Sequence, residues 1–244
     1  MNYTVLANDM VAEQIYMMKI QGDSSSVTAP GQFINIKIDG FYLRRPMSIA
    51  LWDNASLTIF YRVVGEGTKQ LSQYVTGQQL DLLTGLGNGY DITVASGQRV
   101  VLIGGGMGVA PLIGLAKTLS EMGIVFDTVV GFNRQQEVYG LKQIKPYTNR
   151  LMVATVDGSL GMKGMVTQAV EVVNYDYYFS CGSENMLRAV HTLPLKGQLS
   201  FESRMGCGFG ACMGCSCRTL TGYARICVEG PIMRSDDISF NEVH

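Results

Sequence analysis

Five of the chain's six cysteines, Cys207, Cys212, Cys215, Cys217 and Cys227, crowd into one C-terminal stretch, while Cys181 stands apart. The spacing Cys207-x4-Cys212-x2-Cys215-x11-Cys227 is that of a plant-type [2Fe–2S] loop, in which three thiolates on one loop and a fourth further on hold the irons. Gly206, Gly208, Gly210 and Gly214 let the backbone come close to the sulfides and aim N–H donors at them. Cys217 is left over as a non-ligand. A structural zinc site with four cysteine ligands is the competing reading. Such sites usually show two C-x2-C pairs a dozen or more residues apart, and this chain has one pair. With His191 and His244 the only histidines, the metal ligands have to be sulfur. No Ser/His/Asp set or His-Glu-x-x-His supports hydrolysis, and no residue is assigned a catalytic acid–base role.

Further stretches carry residue types suited to phosphate and nucleotide binding. Gly104, Gly105, Gly106 and Gly108, with Pro111, follow an apolar strand and open a helix. Side-chain-free backbone there can approach a pyrophosphate while the helix N-terminus supplies N–H donors. A tight strand-to-helix joint is the plain alternative. Cys181-Gly182-Ser183 ends a later strand, at the carboxyl edge where open α/β sheets bind ligands; a buried structural cysteine is the other reading. Arg44-Arg45-Pro46-Met47-Ser48 offers an arginine fork and a hydroxyl to one ligand, unless it is a solvated basic turn. Arg62, Val63 and Val64 run into Gly65-Glu66-Gly67-Thr68, with Thr68 expected to cap a short helix and add a phosphate contact. After the second strand of the later sheet, Arg134 could meet a 2′-phosphate and Glu137 a ribose hydroxyl.

The elements that must hold these residues change character along the chain. Ile34, Ile36 and Ile38 alternate with polar residues, and residues 57–64 form a β-branched and aromatic run, so the first part reads as half-buried antiparallel strands closing a small barrel. From residue 98 apolar strands at 100–103, 126–130, 151–156, 177–180 and 199–202 alternate with helical periodicity at 109–122, 165–173 and 184–190. That pattern predicts a parallel sheet covered on both faces. Residues 204–230 are glycine-rich, with little helical period, and read as a small lobe organised by its metal. The expected fold class is therefore α+β multidomain, with an antiparallel β-barrel at 1–97, an α/β parallel-sheet domain at 98–203 and a cluster lobe at 204–244. The 244 residues are 47% hydrophobic and only 16% charged, which excludes disorder. With 19 basic against 20 acidic residues, net −1, and no run of like charge, a nucleic-acid or membrane-surface role has no electrostatic basis. Residues 1–9 show no basic region leading into an apolar block. Clustered thiols in such a chain are expected to bind metal in the cytoplasm rather than form disulfides.

Arg45-Pro46-Met47-Ser48, Gly67-Thr68, residues 104–111 and Cys181-Gly182, in that order, resemble the ferredoxin–NADP reductase superfamily. The appended cysteine loop narrows the resemblance to the electron-transfer subunits of NAD-dependent dihydroorotate dehydrogenases. The resemblance implies FAD at Arg45, Pro46, Met47, Ser48, Arg62, Val63, Val64, Gly67 and Thr68. It implies NAD at Gly104, Gly105, Gly106, Gly108, Pro111, Cys181 and Gly182, and a [2Fe–2S] cluster on Cys207, Cys212, Cys215 and Cys227. Met47 departs from the superfamily's Arg-x-Tyr-Ser/Thr pattern, although a thioether can still contact an aromatic ring. The implied partner is an FMN-containing catalytic subunit, in a heterotetramer that oxidises dihydroorotate in pyrimidine synthesis. The alternatives are a subunit of another NAD(P)H complex, such as a ferredoxin:NADP oxidoreductase or sulfhydrogenase, and, in a different class, a zinc-stabilised interaction module.

Overall fold

The computed structural model describes residues 3–240; Met1, Asn2 and residues 241–244, His244 among them, lie outside the described residues. The first seven strands are β1 (Tyr3–Ala12), β2 (Ile15–Gln21), β3 (Phe33–Ile36), β4 (Arg45–Trp52), β5 (Ser56–Arg62), β6 (Gln79–Leu80) and β7 (Leu82–Leu86). They form one antiparallel sheet in the order β6-β1-β2-β5-β4-β3-β7. β6 and β7 lie at opposite edges yet are separated in the chain by Asp81 alone, so the chain itself draws the edges together into a nearly closed barrel. Its interior is filled by Val5, Met18, Ile20, Ile34, Ile36, Ile49, Leu57 and Ile59. The expected alternation at 34–38 holds for the isoleucines, but Asn35 is buried as well, because the cysteine lobe covers that side of β3.

The second sheet is built from β8 (Val100–Gly105), β9 (Phe126–Phe132), β10 (Leu151–Thr155), β11 (Met162–Lys163), β12 (Tyr177–Cys181), β13 (Lys196–Ser200) and, after a hairpin of β14 (Ser216–Thr219) and β15 (Gly222–Arg225), β16 (Ile232–Arg234). Its order is β11-β10-β9-β8-β12-β13-β16, parallel except for β16, which runs antiparallel beside β13. Successive residues of β8 point to opposite faces. Val100 and Leu102 meet helix α2 (Val109–Glu121), and Val101 and Ile103 meet Val166, Leu187 and Val190 on the other side. Both faces are therefore covered, which a parallel sheet requires. The segment 165–173, expected as a helix, is instead two short 3-10 turns at Val166–Ala169 and Val172–Asn174. Four valines in that stretch lower its helix propensity, and three of them, Val166, Val170 and Val172, pack into the core on that face of the sheet. The strand expected at 199–202 ends at Ser200, where the chain turns away to form the floor of a cleft.

Helix α2 joins the two halves. Ala50 and Phe60 of the barrel share one core with Leu112, Ile113 and Ala116 of α2, and a Cβ on Gly114 would stand 2.8 Å from the Ala50 carbonyl oxygen. Only a glycine lets the helix pass so close to β4.

Asp127, near the start of β9, gathers the base of this sheet. Its carboxylate accepts from Asn149 Nδ2 (2.9 Å), Arg150 Nε (2.9 Å) and the Tyr175 hydroxyl (2.9 Å). Burial alone would raise its pKa, but these donors outweigh it and hold the group below the ordinary value. The stability it contributes is therefore present above the unfolded carboxylate value of about 3.9 and lost as pH falls through the lowered folded value. Asp127→Asn is expected to cost about 2 kcal/mol at neutral pH and to flatten the acid limb of a urea-unfolding series. An unchanged acid limb would show that the cluster is not responsible for it.

Candidate functional site

The chain leaves β8 for β9 on one side and later returns to β12 on the other, so the strand order reverses between β8 and β12. The carboxyl ends of those two strands diverge there and open a crevice, the place where open α/β sheets bind ligands. Gly104 pairs with Cys181 across this point. A cavity of about 540 Å³ opens above it, lined by Gly105, Gly106 and Gly108, with Asn133, Ser183 and Met186. Gly104, Pro111, Cys181 and Gly182 do not line it. Gly104 is covered by Leu112 and Val109, Pro111 is buried in the first turn of α2, Cys181 lies in the main core, and Gly182 packs on Met186. Their role is to shape the loop from behind: a Cβ on Gly108 would stand 2.6 Å from the Gly182 nitrogen and closer still to the Cys181 carbonyl. Burial pushes the Cys181 thiol far above its usual pKa, so it is a neutral group.

A second cavity of about 340 Å³ lies between barrel and sheet. Arg45, Pro46, Met47 and Ser48 of β4, Arg62, Val64 and Thr68 line it, together with Phe33, Tyr61 and Glu202. Val63 packs into the barrel core instead, and Gly67 lies against the Arg45 guanidinium, 2.9 Å from where its Cβ would be. Arg45 is held by the Leu43 carbonyl and lies over the Phe41 ring. Thr68 is not the cap expected from the sequence. It is the third residue of helix α1 (Glu66–Leu71), and its hydroxyl reaches back to accept from the Val64 and Gly65 N–H groups at 2.9 and 3.2 Å. Arg62 Nε is buried with no acceptor among the described residues. An orphaned charged donor on the wall of a cavity with a second arginine suits a pyrophosphate, so these residues fit FAD.

Glu202 and Met107 line both cavities. Neither carries a motif, but Glu202 follows the carboxyl end of β13, and the strand-end rule was the signal that could have found it. Its side chain is open to water on the cavity side, while the protein crowded behind it disfavours the carboxylate and raises its pKa. Arg134 and Glu137, read from the sequence as nucleotide contacts, line neither cavity. Arg134 Nη2 pairs with Glu13 at 2.8 Å and Glu137 with Arg62 at 3.0 Å, both on the barrel.

The cysteine loop lies beside the second cavity. Phe33 lines that cavity and also packs in one cluster with Cys215 and Cys227. Asn35, two residues along β3, donates to the Cys207 carbonyl at 3.0 Å, and Gly208 leaves it the room to do so. The thiols fall into two pairs. Cys207 and Cys212 share N–H bonds, Cys212 N to Cys207 Sγ and Cys207 N to Cys212 Sγ, each 3.4 Å, and Cys227 N reaches Cys215 Sγ at 3.4 Å. Among the described residues no three such side chains close on one point. A single tetrahedral zinc asks for one convergence of four ligands, whereas two irons ask for two pairs, and the donor set fits [2Fe–2S]. N–H groups of Phe209, Cys212 and Ala211 hold Cys207 down at about 6 despite some desolvation, so it is a thiolate at neutral pH. Cys217 belongs to neither pair: its sulfur lies 3.8 Å from Met233 Sδ, and burial raises its pKa.

Comparison with known proteins agrees with this geometry. The iron–sulfur cluster binding domain of dihydroorotate dehydrogenase B matches residues 202–239. The electron transfer subunit of dihydroorotate dehydrogenase B (NAD(+)) from Bacillus pumilus is 40% identical, over 98% of this chain and 97% of its own. The subunit of the same name from Fusobacterium nucleatum is 39% identical over 96% of each chain. Among solved structures, an NADH-dependent reduced ferredoxin-NADP oxidoreductase superposes with a TM-score of 0.85 at 26% identity, covering 98% of this chain and 90% of that one. No helix among the described residues is long and apolar enough to cross a membrane. Near-complete coverage at such identity, with the cysteine loop in place, shows that the chain belongs to the family of electron transfer subunits of dihydroorotate dehydrogenase B (NAD(+)).

Proposed function

We propose that this chain relays electrons between NAD(H) and the FMN of a dihydroorotate dehydrogenase catalytic subunit, in the cytoplasm and within a heterotetramer of two subunits of each kind. The observation that carries the reading is an unbroken order of sites. The glycine-lined cavity meets the arginine-lined cavity at Glu202 and Met107, and the arginine-lined cavity meets the thiol pairs at Phe33. When bound, FAD takes a hydride and gives single electrons, and a [2Fe–2S] cluster passes them on one at a time. The chain supplies orientation: Arg45, Ser48, Arg62 and Thr68 hold the flavin, the loop at 104–108 seats the pyridine nucleotide, and Cys207, Cys212, Cys215 and Cys227 ligate the irons. Among the described residues no arginine or lysine lines the glycine cavity, which favours NAD over its 2′-phosphorylated form. The working units are residues 1–97, 98–203 and 204–244, the last returning β16 to the second sheet. Phe209, Met213 and Tyr223, exposed around the cysteine loop, form the face for the catalytic partner.

Purified alone, the chain is expected to reduce an artificial dye with NADH faster than with NADPH and to leave dihydroorotate untouched. Added catalytic subunit should then couple dihydroorotate oxidation to NAD reduction. Dihydroorotate turnover by the isolated chain at the rate of the complex would overturn the relay.

A further inference from the structure

We propose that Glu137 is a positioning residue that sets the flavin barrel against the nicotinamide cavity and thereby governs the rate of hydride delivery rather than nucleotide affinity. The inference rests on the relay reading above. Glu137 sits in the turn Gln135–Glu137 after β9, and is only 9% exposed although it carries a charge. One carboxylate oxygen accepts from Arg62 Nη2 at 3.0 Å and Asn133 Nδ2 at 3.1 Å; the other faces Arg134 Nε at 3.4 Å. Arg134 in turn holds Glu13, between β1 and β2, whose own N–H donates to the Gln136 carbonyl at 2.9 Å. Two separate points of the barrel, Arg62 and Glu13, are thus tied to one turn of the second sheet.

The same segment also reaches the junction of the cavities. Tyr139, two residues on, packs its ring 5.0 Å from Phe60, a residue of the flavin cavity wall. Its hydroxyl donates to the Met107 carbonyl at 2.9 Å and accepts from the Ala110 N–H at 3.1 Å. Residues 133–139 therefore span from Arg62, on the flavin wall, to Met107, shared by both cavities. An ion pair this far desolvated holds its partners in one arrangement, because removing either charge leaves the other uncompensated. Reactive atoms held by two different elements lose rate steeply when those elements shift by a fraction of an ångström. With Glu137 removed, Arg62 has no fixed anchor at its outer end, and the barrel can rock on α2. A carboxylate engaged by two arginines and an asparagine has little capacity left for a ribose hydroxyl, and it lies outside the glycine cavity's wall.

The test is anaerobic stopped-flow reduction of the bound flavin by NADH in the wild-type chain, Glu137→Ala and Glu137→Gln, with thermal melts of the same holoproteins. The limiting rate is expected to fall about tenfold in Glu137→Ala and less in Glu137→Gln, with half-saturating NADH and FAD content nearly unchanged. Melting shifts of Glu137→Gln and Arg134→Met should be less than additive in the double variant, since both break one network. Half-saturating NADH rising tenfold or more at an unchanged limiting rate would make Glu137 a nucleotide contact. Unchanged rates with additive melting shifts would overturn the positioning role while leaving the relay intact. A wild-type flavin that NADH does not bleach would overturn the relay reading itself and this inference with it. If Glu137→Ala does not fold, the rate and melting of Glu137→Gln decide.

Discussion

Cys215→Ser is expected to strip the chain of its iron–sulfur absorbance, whereas Cys217→Ser is expected to leave it intact. The two residues stand two apart in sequence, and the structure separates them by the partner each sulfur faces. Cys215 is 2% exposed and faces Cys227, whose N–H reaches its sulfur at 3.4 Å. Cys217 lies on β14, paired with Ala224, and its sulfur faces Met233. Its sulfur is taken up by Met233 in the apolar cluster beneath the loop and, among the described residues, makes no N–H contact with either thiol pair. Loss of even an outer-shell contact weakens metal binding by about ten- to a hundredfold, so loss of a ligand should lower iron per chain by more than that lower figure. The measurements are iron and acid-labile sulfide per chain with the visible spectrum. An intact cluster in Cys215→Ser beside an apo Cys217→Ser would reverse the assignment. A colourless wild type loaded with zinc would revive the metal-stabilised module.

Gly108→Ala is expected to abolish reduction of the flavin by NADH while dithionite still reduces it. The added Cβ would stand 2.6 Å from the Gly182 nitrogen and nearer to the Cys181 carbonyl, atoms that belong to the backbone at the end of β12 and cannot turn aside as a side chain can. The loop has to back away from the switch point, and its N–H groups leave the crevice. A displacement of about 1 Å at such a site costs on the order of a hundredfold in rate. FAD should stay bound, because Arg45, Ser48, Arg62 and Thr68 hang from the barrel and α1 rather than from this loop. Stopped-flow bleaching with NADH and the flavin content of the purified variant together check this. Wild-type bleaching by NADH would place the nucleotide elsewhere.

The residues legible in the sequence are those whose chemistry is local. The C-x4-C-x2-C spacing, the glycine run after a strand and the arginine–hydroxyl pair each lie within a few residues, and short-range geometry dictates what such neighbours can do together. Period-two and period-3.6 patterns likewise report which face of each element is buried, as along β8 and α2. The helix expected at 165–173 and absent from the fold shows the limit of that reasoning, since the packing of Val166, Val170 and Val172 into the sheet's core outweighed a weak helical preference.

What only the tertiary structure decided is which distant residues meet. Glu202 and Met107 share two cavities because β8 and β13 end on the same edge of a sheet, and Phe33 joins flavin wall to thiols because β3 borders a lobe some 170 residues later. Arg134 and Glu137 carried the types and place of nucleotide readers after a second strand, yet the fold spends them on Glu13 and Arg62. A side chain's type sets which partners it can accept. Which of the competing partners lies within 3 Å is set by strand order and by the docking of barrel on sheet, and neither is written in the spacing of any single segment.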